Sequence, residues 1–123
     1  MKILIDTHIF LWMLSDPKKL NQKRRYELES PANEVYLSSM SIAELMIKTS
    51  LGKLDITFDP LEMASKMRVE ILNFTGVDAM VLGGMPYFHK DPFDRMIIAQ
   101  AATNQLSLMS DDAKFLKYDC KVI

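Results

Sequence analysis

The apolar residues of this chain fall into short unbroken runs separated by longer segments with a helical beat. The runs "KILID", "EVYLSS", "ILNF", "LSLMS" and "CKVI" are four to six residues long and lean on β-branched and aromatic side chains. Each is too brief for a helix and reads as a strand. Between them lie amphipathic or mostly apolar stretches with start and stop signals. "THIFLWMLS" is apolar almost throughout. "LNQKRRYELES" opens at Asn21 and ends at Ser30-Pro31. "SIAELMIKTSLG" takes Ser41 as its N-cap and stops at Gly52. "DPLEMASKMRVE" offers Asp59 as cap and Pro60 at the first helical position. A short helix starts at Thr75 and breaks at Gly83-Gly84. "DPFDRMIIAQAATNQ" has apolar residues at 93, 96, 97 and 101, and "DAKFLKY" is a last short helix.

Strands and helices therefore alternate. The strands are continuously apolar, as expected where both faces are covered. The pattern predicts a single α/β domain over residues 1–123, a three-layer sandwich around a mostly parallel sheet. Neither repeats nor low-complexity tracts interrupt it.

Composition adds limits. Hydrophobic residues make up 49% and charged residues 25% of the chain, enough for a core. The net charge of −1 excludes binding nucleic acid through bulk basicity, so any such contact needs a local patch or a metal. The ten methionines are expected to fill the core. Cys120 is the only cysteine, which rules out an internal disulfide and suits a reducing compartment. Lys2 and the apolar run after it have the look of a signal peptide, but Asp6 and His8 interrupt it. No run reaches the roughly 18 apolar residues of a membrane span. The expectation is a cytoplasmic protein with no membrane association.

The acids carry the candidate chemistry. In open parallel sheets, sites form beyond the carboxyl ends of the strands. Asp6 ends the first strand, and Glu44 lies in the first turn of the helix after the second. Asp91 and Asp94 open the helix before the fourth strand, and Asp111 and Asp112 follow that strand. Each has a local alternative. Ser41 and Glu44 fit a capping box, and Asp91-Pro92-Phe93-Asp94 fits a cap, a proline and a dipole-favoured acid. Asp111 or Asp112 can cap the short helix after them. Asp6 has no such duty unless it caps "THIFLW". Four carboxylates at one edge repel one another, and a hard divalent cation such as Mg²⁺ or Mn²⁺ relieves that repulsion.

In order, "ILIDTHIFLW", "LSSMSIAEL", "HKDPFDRMIIAQA" and "LSLMSDDAKF" resemble the PIN-domain ribonucleases, especially VapC-type toxins of bacterial toxin–antitoxin pairs. The resemblance runs from Lys2 to Ile123, and "DPFDRMIIAQA" is its most specific piece. It implies a PIN-like fold and a metal-dependent endoribonuclease. It assigns the metal-binding and catalytic acids to Asp6, Glu44, Asp94 and Asp112, with Asp111 as second choice for the fourth. Asp91 is implied as an accessory acid or cap, and Thr7 and Ser41 as hydrogen-bonding support. Arg95 either clamps a phosphate or pairs with an acid. Lys48, Lys53 and Lys90 are candidates for phosphate contacts or plain surface residues. His8 and His89 are not expected as ligands, because hard-cation sites prefer oxygen; His89 is expected to pack or hydrogen-bond near the start of its helix. One or two Mg²⁺ or Mn²⁺ ions on the four acids would support hydrolysis of an RNA phosphodiester without the 2′-hydroxyl. The implied partners are an RNA substrate, a cognate antitoxin and a second copy of the chain.

Two other classes compete. A receiver-like regulatory module needs an acidic pair at the end of strand one, where this chain has "DTH". A phosphatase of the haloacid dehalogenase type needs a second acid where His8 stands. A non-catalytic binding module on the same fold is the remaining alternative.

Overall fold

A computed structural model describes residues 1–123. Four strands form one sheet: β1 (Lys2–Ile5), β2 (Glu34–Ser38), β3 (Val69–Leu72) and β4 (Ser107–Met109). Their order is β3-β2-β1-β4, and every pairing is parallel. Six α-helices connect them: α1 (Thr7–Ser15), α2 (Gln22–Glu29), α3 (Ser39–Ser50), α4 (Pro60–Lys66), α5 (Gly76–Val81) and α6 (Pro92–Asn104). Short 3-10 turns occupy Pro17–Lys19, Leu82–Gly84 and Ala113–Lys117.

The strand alternation divides the core in two. Ile3, Ile5, Val35, Leu37, Val69 and Met109 point to one face and pack with Ile9 and Phe10 of α1, Leu45 of α3 and Ala64 of α4. Leu4 and Leu108 point to the other and pack with Ile97, Ile98 and Ala101 of α6, Phe115 and Tyr118. Apolar side chains thus cover both faces, which makes a three-layer α/β/α sandwich and explains the unbroken apolar runs. Of the "IFLW" stripe, Ile9 and Phe10 are fully buried, and Leu11 and Trp12 pack half-buried on the same core. No helix is long and apolar enough to cross a membrane.

Three sequence expectations need correction. The N-cap of α3 is Ser38, whose hydroxyl accepts from the Met40 N–H, not Ser41. Ser41 is inside the helix, so the expected capping box with Glu44 does not form, and Glu44 falls in the second turn. The third strand is Val69–Leu72 rather than "ILNF" at 71–74. It is entered through Arg68, whose left-handed φ of 58° turns the chain out of the α4 segment. Finally, "CKVI" is not a strand but a single parallel bridge of Val122 to Leu108.

Candidate functional site

Because the strands are parallel, each helix that follows a strand or precedes the next begins at the same carboxyl edge. There the N-termini of α1, α3 and α6 meet, and the acids cluster around them. The Asp6 backbone N–H extends the sheet pairing by donating to Met109 O at 3.1 Å. Its side chain caps α1, with Oδ1 accepting from Ile9 N at 2.8 Å. Burial pushes the Asp6 carboxyl above the usual range, against a Ser110 hydrogen bond, the Ile9 N–H and the charges of His8 and Arg24.

Glu44 is buried beside it on α3. Its Oε2 accepts from Lys48 Nζ at 2.7 Å, one helical turn on. Its Oε1 is buried with no hydrogen-bond partner at all. That bond to Glu44 is what raises the Lys48 ammonium pKa, with Asp91 and Asp94 adding to it. Lys48 is therefore tied to the acids rather than free for other contacts.

Asp91 caps α6, its Oδ1 accepting from Phe93 N at 2.9 Å and Asp94 N at 3.0 Å, with Pro92 at the first helical position. That start holds Asp94 in the first turn. Burial drives the Asp94 carboxyl up to about 6; Asp91, Glu44 and Asp6 push the same way and His89 opposes them. Four acids from three segments thus share one local field.

The adjacent pair after β4 splits. Asp111 is exposed and bonded through Oδ1 to Arg24 Nη1 at 3.0 Å, while Arg24 also donates to Ser110 O and Ile123 O. Asp112 turns the other way. Its Oδ1 caps the last 3-10 turn through Lys114 N at 2.9 Å, and its Oδ2 lies 2.9 Å from His89 Nε2. Burial works to raise its pKa, but the Lys114 N–H, the His89 hydrogen bond and nearby positive charge outweigh it and hold it low.

His89 packs on Phe115 and accepts from the Asp91 N–H at the helix start, as expected, but it also reaches the acids. Its side chain is 8% exposed, and its Nε2 stands 2.9 Å from both Asp94 Oδ2 and Asp112 Oδ2. The three contacting atoms lie within 4.8 Å of one another. Nothing local in "FHKDPF" shows that residue 89 reaches residue 112, since that contact exists only once β4 lies beside β1.

Arg95 neither points at the acids nor stands free for a phosphate, which corrects both expectations. It is buried and donates through Nη1 to Pro86 O at 2.9 Å, with longer bonds to His89 O, Tyr118 Oη and Met85 O. The Tyr87 ring stacks 4.1 Å from its guanidinium carbon. The Tyr118 hydroxyl donates to Pro86 O and accepts from His89 N, each at 2.9 Å. Together Arg95 and Tyr118 fasten the segment that carries His89. Thr7 donates to Ser41 Oγ at 2.9 Å, a buried bond lacing α1 to α3.

A parallel three-layer sandwich with carboxylates gathered at the carboxyl ends of its strands defines a class of α/β protein. The chain belongs to the PIN domain family, whose model, described as PIN domain, matches residues 3–121. No curated protein sequence matches it. Its fold is similar to that of VapBC2 from Rickettsia felis bound to a DNA fragment from their promoter. That match has 18% identity and a TM-score of 0.73, covering 100% of this chain and 98% of that one. DNA-bound VapBC from Salmonella typhimurium is 19% identical with a TM-score of 0.67, covering 100% of this chain and 97% of that one. FitAcB from Neisseria gonorrhoeae is 19% identical with a TM-score of 0.62, covering 98% and 96% respectively.

Proposed function

We propose that this chain is a divalent-metal-dependent endoribonuclease, the toxin half of a toxin–antitoxin pair. Asp6, Glu44, Asp94 and Asp112 are its metal-binding acids, with Asp91 as the cap that supports Asp94. The observation that carries this reading is the buried, unpartnered Glu44 Oε1 at an edge where Asp94 is already strained by three other carboxylates. Buried polar atoms are nearly always satisfied, and an orphaned carboxylate oxygen among like charges calls for a cation. The donors are oxygens of separate side chains, which suits Mg²⁺ or Mn²⁺. Such an ion, when bound, polarises a phosphate and activates water at neutral pH.

The chain's own groups have defined tasks in that reading. Asp6, Glu44 and Asp94 supply negative charge fixed by α1, α3 and α6. The push of the Asp94 carboxyl up to about 6 belongs to the metal-free site; a bound cation would reverse it and hold the carboxylate ionised as a ligand. Lys48 neutralises Glu44 and stands at the mouth of a groove of about 190 Å³ lined also by Thr7, His8 and Lys53. That groove is the approach for the RNA backbone.

The partners follow the same reading. The structural neighbours include a toxin–antitoxin complex from Klebsiella pneumoniae and DNA-bound VapBC and FitAB, which supports a protein antitoxin as partner. Met46 and Ile47 of α3 and Val77 and Met80 of α5 are exposed apolar residues on two helices that both pack on α6. They are the proposed homodimer surface.

Purified protein incubated with mixed RNAs tests the activity. Cleavage is expected with Mg²⁺ or Mn²⁺, and none with EDTA or in the Asp6→Asn and Asp94→Asn variants. Cleavage that persists in EDTA, or in both variants, would refute the metal-acid assignment. Light scattering of a Met46→Glu, Ile47→Glu variant tests the dimer, with a fall to monomer mass expected.

A further inference from the structure

We infer that His89 is a positioning residue of this site: its Nε2–H donates to Asp112 and holds that acid beside Asp94, and it does not bind the metal itself. The inference rests on the reading of the acids as a metal site and adds a residue to it.

The hydrogen bonding fixes which nitrogen carries the proton. His89 Nδ1 accepts from the backbone N–H of Asp91 at 3.2 Å, so that nitrogen presents a lone pair. The proton therefore sits on Nε2, the atom 2.9 Å from both carboxylate oxygens. A metal-binding nitrogen needs a free lone pair. Freeing Nε2 would move the proton to Nδ1, where it would face the Asp91 N–H. One contact holds the ring and two hold its backbone. Phe115 packs against the ring at 5.6 Å between centroids, Tyr118 Oη accepts from the His89 N–H, and Arg95 donates to the His89 carbonyl.

The bridge has a clear purpose. Asp112 comes from a segment after β4 and is otherwise held by its N–H to the Ser110 hydroxyl and by its cap on the 3-10 turn that follows. Facing Asp94, it would be driven away by like charge. The N–H donated to Asp112 offsets that repulsion, and because His89 Nδ1 accepts from the N–H of Asp91, the same ring ties the turn after β4 to the start of α6. Orienting donors of this kind typically change metal affinity by about 10–100-fold when lost.

Two measurements on the full chain test this. The first is long-range ¹H–¹⁵N NMR of the imidazoles with and without saturating Mg²⁺; the chain has only two histidines, so the signals separate readily. The expected result is an Nε2-protonated His89 in both states. A proton on Nδ1, or a metal-induced change at Nε2 that marks ligation, would overturn the inference. The second is calorimetric Mn²⁺ binding to wild type, His89→Ala, His89→Asn and His89→Gln. A glutamine amide reaches the place of Nε2, whereas asparagine reaches only that of Nδ1. Loss of about tenfold in the alanine and asparagine variants, with the glutamine variant within about threefold of wild type, is expected. Equal affinity across all four proteins would overturn the positioning role while leaving the metal site standing. Absence of Mn²⁺ binding by wild type would overturn both. Should His89→Ala fail to fold, the comparison of glutamine with asparagine and the wild-type NMR still decide.

Discussion

Replacing Asp94 by asparagine should make the metal-free protein more stable while abolishing its activity. The Asp94 carboxyl is 19% exposed and is pushed from an ordinary 3.8 to about 6. In this direction the native state binds the proton more tightly than the unfolded chain. The ionised group therefore destabilises the fold: the penalty is absent below about pH 3.8, grows as the pH rises, and is complete above about 6. A shift of about two pH units corresponds to about 3 kcal/mol at 1.36 kcal/mol per unit. Asparagine keeps the shape and removes the charge, but it also loses the favourable close contact of the carboxylate with His89 Nε2, 2.9 Å away, which offsets about 1 kcal/mol. The expected net gain is about 1–2 kcal/mol at pH 7.5, or roughly 5 °C in Tm for a chain of this size.

The assay is thermal and urea unfolding of both proteins in EDTA at pH 7.5 and pH 4. Asp111→Asn serves as control, since that acid is exposed and paired with Arg24. The gain in Asp94→Asn should be present at pH 7.5 and nearly vanish at pH 4, while the control stays flat. Millimolar Mg²⁺ should then raise the wild-type Tm more than the variant's, because binding to the native state stabilises it by mass action. A variant less stable than wild type at pH 7.5, or a gain equal at both pH values, would refute the claim that burial and charge crowding strain Asp94.

The remaining predictions concern the scaffold. Arg95→Met should cost about 2 kcal/mol in urea unfolding, because the buried His89 carbonyl loses its donor and the Pro86 carbonyl keeps only that from Tyr118. Arg95→Lys should recover little of this, since one ammonium cannot span the same acceptors while stacking on Tyr87. Tyr118→Phe should cost about 1–2 kcal/mol by the same measurement, for loss of a hydroxyl bonded to Pro86 and His89. Gln105→Gly should raise stability by up to about 1 kcal/mol, because this helix-ending residue has a left-handed φ of 54°.

Much of this molecule is readable from local pattern. The apolar runs of β1, β2 and β4 stand out because a doubly covered strand has no polar face to confuse the signal. The start of α6 is legible because Asp91-Pro92 combines a cap with a fixed φ. Where several residues are equally fit for one role, pattern is silent. Ser38, Ser39 and Ser41 can all cap a helix, and only the end of the β2 pairing at Ser38 selects the first. The left-handed turn at Arg68 left no trace, since nothing in "KMRVE" favours it and helical spacing runs through to Val69. "CKVI" looked like a strand by composition, yet it has only Leu108 to pair with. The acids were legible as a set, but His89 and Arg95 were not. Their partners are carbonyls and carboxylates brought in by tertiary structure, and residue type alone does not choose among such roles.

The acids also dissolve an opposition built into the sequence, between capping a helix and holding a metal. Asp112 uses Oδ1 for the Lys114 N–H and keeps Oδ2 for His89 and the site. Asp6 caps α1 and still loads the field at Asp94. A parallel sheet forces this coincidence, because helix N-termini and the carboxyl ends of strands lie at one edge. The same helix termini present positive dipole ends that temper the repulsion among the acids. A consequence for mutagenesis follows. Asp6→Ala removes both charge and cap, and the lost cap alone costs about 1 kcal/mol. Asp6→Asn keeps an oxygen for the Ile9 N–H and removes only the charge. If the two duties are separable, Asp6→Asn should be inactive yet at least as stable as wild type in EDTA, with Asp6→Ala inactive and less stable. Equal stability of the two variants would mean that the cap contributes nothing, and that the Asp6 side chain is placed by the charge cluster alone.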